Sequence, residues 1–185
     1  MRMNDISNEN TKIMLQNLEN FIMEYINAIQ TLVLQKDIKF IPVTVLIYTL
    51  IDNLSYLEYG EPNKKLNLRN RYTDWCKKYV LKNLEGNNSK LNEFDFWYAR
   101  CGVIHNGIAT SLHKDSKSYF YADHDKKFPK APEFKNMVVI NVYSLTQSIH
   151  SSIIDCLKSN EKSVNNDFYN RSQNLISKKM HSNHK

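Results

Sequence analysis

The residues best suited to chemistry lie in one stretch, Tyr98-Ala99-Arg100-Cys101-Gly102-Val103-Ile104-His105-Asn106-Gly107. Arg100 is a permanent cation whose planar fork matches a phosphate or carboxylate. His105 gains or loses a proton near neutrality and can serve as acid or base. Arginine is scarce here: the 25 basic residues include only Arg2, Arg69, Arg71, Arg100 and Arg171. Upstream, Asp52 is the lone charge between Lys39 and Glu58, inside a run of apolar residues. A carboxylate in such a run needs a partner, and a cation or an imidazole would provide one.

Other chemistries lack their residues. The chain has no GxGxxG, P-loop, HExxH or GxSxG pattern. Cys101, His105, His113 and His124 are spaced unlike any common zinc module, and no metal or other cofactor is expected. Cys76, Cys101 and Cys156 are odd in number and scattered, which fits reduced thiols. Met1–Glu19 has no apolar signal core, and the apolar stretch Phe40–Ile51, with Pro42 in it, is short for a bilayer. A cytoplasmic protein without a membrane span is the expectation.

The elements that must position Arg100, His105 and Asp52 read as helices. The 185 residues suit about one domain, and only 4 Gly and 4 Pro argue against many short strands. Helical spacing predicts helices over about Asn8–Gln35, Pro42–Glu58, Leu66–Leu84, Leu91–Asn106 and Tyr143–Leu157. Pro42 suits the first turn of the second helix, and Gly60 with Pro62 ends it. That helix is apolar around most of its circumference, so it is expected at the centre of the fold. A narrow polar stripe, Thr44, Tyr48, Asp52, Ser55 and Tyr59, runs along it. Residues 108–136 break the helical period, and Ser118–Ala122 and Met137–Asn141 read as strands of a small hairpin. The expected fold is mainly α, a helical bundle with a small β-prone insertion after the motif helix. The helical domain spans 1–160. Residues 161–185 read as a basic, partly disordered tail with a short helix at about Phe168–Ile176; Lys162, Arg171, Lys178, Lys179 and Lys185 oppose only Glu161 and Asp167.

The helix order, the Arg-x4-His spacing closing an aromatic helix and the upstream acidic residue together resemble the HEPN superfamily. The resemblance covers roughly residues 10–160, in helix order and motif position. It implies a helical bundle that dimerises, and a metal-independent endoribonuclease of a prokaryotic defence or toxin–antitoxin system. In that chemistry the 2′-OH of RNA attacks the adjacent phosphate, which requires a base, an acid and a cation. The resemblance assigns Arg100 and His105 as catalytic and Asp52 as their support. One His cannot be acid and base in one step, so a homodimer would bring two Arg/His pairs to one groove. Asn106, Arg69, Arg71, Lys77 and Lys78 would hold the RNA, and an antitoxin protein is a further implied partner. Five residues on an ideal helix turn through about 500°, so Arg100 must reach around, or the helix must distort at Gly102, for both to face one groove.

Other readings of the same residues stay open. Arg100 fits a structural bridge to Asp52 or Asp95, and His105 fits a cap on the last helical carbonyls. Many family motifs carry a polar residue after the Arg, where this chain has Cys101. The alternative function is a catalytically silent module of the same fold that binds RNA or a protein. The net charge of +6 permits RNA binding. Phe94, Phe96 and Trp97 fit a core or dimer interface better than a surface on which bases stack.

Overall fold

The computed structural model describes residues 3–35, 40–62, 66–106, 117–122, 137–162 and 166–182. These form six α-helices: α1 (Met3–Val33), α2 (Phe40–Tyr59), α3 (Leu68–Trp75), α4 (Glu93–Asn106), α5 (Val142–Lys162) and α6 (Asn166–Ser182). The fold is mainly α, as the helical spacing and the scarcity of turn residues predict.

Helix α2 is the axis of the bundle and packs against the five others. Val43, Ile47, Leu50, Ile51, Leu54 and Leu57 are all buried on it. Each such side chain contributes about 1.5–3 kcal/mol when fully removed from water. The helix is 20 residues long, so unlike the shorter apolar run seen in the sequence it is long and apolar enough to cross a membrane. Half of that stretch is instead buried against the rest of the chain. Three residues of the polar stripe find partners inside the fold. Thr44 donates to the Phe40 carbonyl, Ser55 donates to the Asp52 carbonyl, and the Tyr48 hydroxyl meets that of Tyr121 at 3.1 Å.

Helix α2 ends at Gly60, which adopts φ +81° as a left-handed cap. Two arginines then take up its orphan carbonyls. Arg171 donates to the Leu57 carbonyl at 2.8 Å and the Glu58 carbonyl at 2.9 Å, and Arg71 donates to the Gly60 carbonyl at 3.0 Å. Cations at a helix C-terminus also oppose its negative dipole end.

The third helix is not continuous as the spacing suggests. After Trp75 the backbone widens into a π turn, Cys76–Val80, then tightens into a 3-10 turn, Leu81–Asn83. Trp75, Cys76, Tyr79 and Val80 are all buried by this path. The motif helix also starts later than expected, at Glu93, because the Asn92 side chain accepts from the backbone of Phe94 and Asp95 as a cap.

The strands β1 (Ser118–Ala122) and β2 (Met137–Asn141) exist where expected, but they pair in parallel, Ser118 opposite Met137 and Ala122 opposite Asn141. A hairpin would need them antiparallel. The 14 residues between them, 123–136, are long enough to permit a parallel pair. Strand β2 passes directly into α5, and the Asn141 side chain caps that helix by accepting from the Ser144 N–H at 2.9 Å. Asn88 binds the same backbone from the other side. Its amide accepts from Asn141 N–H at 2.9 Å and donates to the Asn141 carbonyl at 2.8 Å, with Asn88 itself fully buried. Asn88→Ala is expected to cost about 2 kcal/mol in urea unfolding, since buried backbone groups lose their partner. A change under 0.5 kcal/mol would show that this clamp contributes nothing.

The C-terminal segment departs from its reading as a tail. Residues 166–182 form α6, which packs on α1 and α2. Phe168 and Ser172 are fully buried and Tyr169 nearly so. The inner face of this helix completes the core, so residues 166–182 are part of the fold and not a tail.

Candidate active site

Helix α4 carries the motif, and its register decides what Arg100 does. Phe96, Ala99, Arg100 and Val103 lie on its buried face at helical spacing. Arg100 therefore enters the interior toward α2 and requires a counter-charge there. Asp52 supplies it. Arg100 Nε donates to Asp52 Oδ2 at 2.9 Å and Nη2 to the same oxygen at 2.7 Å. The side chains are 10% and 19% exposed. Asp52 Oδ1 is buried and has no hydrogen-bond partner among the described residues. The structural bridge expected to either Asp52 or Asp95 is thus made to Asp52. Asp95 is occupied elsewhere, accepting from Lys117, Tyr119 and the Asn92 N–H.

Trp97, one turn before Arg100, supports the guanidinium with its ring centre 5.3 Å away, and Trp97 meets Tyr72 edge-on at 5.6 Å. Sequence reasoning missed this contact, although the i, i+3 spacing on α4 contained it. Burial works against the charge of Arg100, but the charge and hydrogen bonds of Asp52 outweigh it and hold the group above its ordinary value. The adjacent Cys101 thiol is pushed up by burial, which Arg100 only partly opposes. It is therefore a neutral thiol near pH 7 and not a ready nucleophile.

His105 and Asn106 lie in the last turn of α4. Their side chains lie outside the described residues, as do the positions of His113 and His124. The helix runs through Gly102 unbroken.

The residues expected to hold RNA separate. Arg71 is buried at 6% exposure and caps α2, and burial holds its guanidinium below its ordinary value despite Asp52 and Glu61 nearby. It is tied to the scaffold beside the site rather than presented outward. Lys78 pairs with Glu58, a buried carboxylate that Tyr79 and Asn160 also bind. Lys77 is exposed on the π turn. Arg69 is half-buried against Phe94 and Tyr98 on the α4 surface. Asp52 also lines a cleft of about 240 Å³ with Asn53, Tyr56, Glu61, Arg71 and Leu175.

The fold and site thus define a mainly α bundle in which a buried Arg–Asp pair joins the central helix to the motif helix. Comparison with known protein families, curated proteins and solved structures finds no match.

Proposed function

We propose that this chain is a metal-independent endoribonuclease of a prokaryotic defence or toxin system, acting as a homodimer. The observation that carries the reading is the Asp52–Arg100 pair, which fixes a guanidinium on the same helix that ends in His105. In this reading the 2′-oxygen attacks phosphorus and the P–O5′ bond breaks. His105 of one copy removes the 2′-OH proton, and His105 of a second copy protonates the departing 5′-oxygen. Arg100 opposes the charge that builds on the phosphorane. Asp52 acts through Arg100 as a positioning residue. Asn106, Arg69, Lys77 and Lys78 hold flanking RNA in this reading, whereas Arg71 acts from within the scaffold.

A second reading has its own support. The Arg100 side chain is only 10% exposed and both Nε and Nη2 are given to Asp52. That geometry favours a silent module that keeps the pair as a bundle tie and binds RNA or a partner protein elsewhere.

The test is incubation of the purified full chain with structured RNA in EDTA. Wild type is expected to leave 2′,3′-cyclic phosphate ends. His105→Ala and Arg100→Lys, both folded by circular dichroism, are expected to lose about 10²–10⁴ of the rate. Absence of cleavage by folded wild type on every RNA tried would leave the silent module.

A further inference from the structure

The aromatic residues at the start of α4 have divided fates. Phe96 is 1% exposed and belongs to the core, whereas Phe94 is 41% exposed. Phe94, Trp97, Tyr98 and Cys101 follow the i, i+3, i+4, i+7 spacing and share one face of α4. Arg69 is laid onto that face, and Arg100, buried and paired with Asp52, packs beside Trp97. The Arg69 guanidinium, from α3, stands 4.9 Å from the Phe94 ring centre and 5.7 Å from that of Tyr98, and its Nη2 donates to the Tyr98 hydroxyl at 3.3 Å. Arg100 stands 5.3 Å from the Trp97 ring centre. The Arg69 cation thus lies against two flat rings of this face.

We propose that this face of α4 is a stacking platform for the unpaired bases of single-stranded RNA. Phe94 is the ring that receives a base, and Arg69 holds the adjoining phosphate. The occupant follows from charge. A polyanion that also presents flat π-faces is complementary to rings that flank a guanidinium, and such stacking tolerates any base. The carboxylates of this turn do not cancel the match: Asp95 points inward to Lys117 and Tyr119, leaving only the half-buried Glu93. A second copy fits less well. A two-fold interface centred on Phe94 would set Arg69 against its own equivalent, and like charges oppose such docking. Duplex RNA also fits less well, because its bases are already stacked.

From Phe94 to Arg100 is about 9 Å along the helix axis. That matches about three nucleotides at roughly 3.4 Å each. If Arg100 holds the scissile phosphate, the base on Phe94 lies two or three nucleotides away. That positional corollary rests on the ribonuclease reading; the platform itself does not.

The experiment is fluorescence anisotropy with a labelled twelve-nucleotide 2′-O-methyl RNA at low salt. The 2′-O-methyl group removes the attacking hydroxyl, so binding is read without cleavage, and cleavage is followed separately on natural RNA. Phe94→Ala is expected to weaken binding about five- to a hundredfold. Phe94→Leu, which keeps apolar bulk but no flat ring, should weaken it similarly, and Phe94→Trp should restore it. An abasic strand of the same length should bind wild type as weakly as the intact strand binds Phe94→Ala. Phe94 is exposed, so all three variants should melt with wild type. The proposal is overturned by no binding, by equal affinity for the abasic strand, or by a Phe94→Leu variant that binds like wild type. Self-association lost in Phe94→Ala with RNA binding unchanged would assign the face to a second copy instead.

Discussion

Asp52→Ala is expected to lower the unfolding free energy by about 3 kcal/mol, because it leaves Arg100 charged in the interior without its carboxylate. The lower end of the range for a buried pair applies, since Asp52 is 19% exposed and water reaches part of the site. Trp97 cannot compensate, because a ring face is a far weaker partner than a carboxylate. The double variant Asp52→Leu with Arg100→Met removes both charges and fills the space with apolar atoms. It should recover most or all of the stability. Urea unfolding of wild type, the single variant and the double variant measures the coupling directly. A loss below 1 kcal/mol in Asp52→Ala would mean that Arg100 finds water or another partner, and the pair would not tie α4 to α2. The double variant also separates structure from activity. It should fold and yet show no RNA cleavage; retained cleavage would remove Arg100 from the proposed chemistry.

Phe168→Ala is expected to cost about 3–5 kcal/mol, the range for deleting a fully buried ring. Phe168 meets Tyr169 edge-on at 5.7 Å and closes the core where α6 crosses α1 and α2. Ending the chain at Asn160 removes more: Phe168, Tyr169, Ser172 and the Arg171 cap on the α2 carbonyls. The shortened chain should lose its cooperative melting transition and bind a hydrophobic dye. A shortened chain that melts cooperatively near the wild-type temperature would show that α6 is dispensable to the core. The composition of α6 explains why its sequence resembles a tail. Lys178 and Lys179 lie in a helix with little apolar content, and only every third or fourth residue faces inward.

Much of the fold was legible before any coordinates. The helical type, the central place of α2, its start near Pro42 and its stop at Gly60 follow from periodicity and from backbone chemistry. Those are local preferences, fixed by neighbours within one or two turns. The parallel pairing of β1 and β2 was not legible, because two five-residue strands carry no signal for direction. The break after Trp75 was not legible either, because apolar spacing at 75, 76, 79 and 80 suits an α turn and a π turn alike.

The candidate site shows the same division. The sequence by itself determined which residues are chemically unusual: a lone Asp52 in an apolar helix, a scarce arginine at 100, and His105 at the end of α4. Their types limit what each can do, since a buried carboxylate demands a donor and a guanidinium demands an acceptor. Only the tertiary structure decided who meets whom. Asp52 rather than Asp95 receives Arg100, because Asp95 is already held by Lys117 and Tyr119. Arg71 turns inward to cap α2, whereas Arg69, two residues earlier, lies on the aromatic face of α4. Two residues on a helix are about 200° apart, so one face is buried and the other meets the surface. Which face is buried depends on α2 and α4 packing against α3, and that contact is formed by residues far apart in the chain.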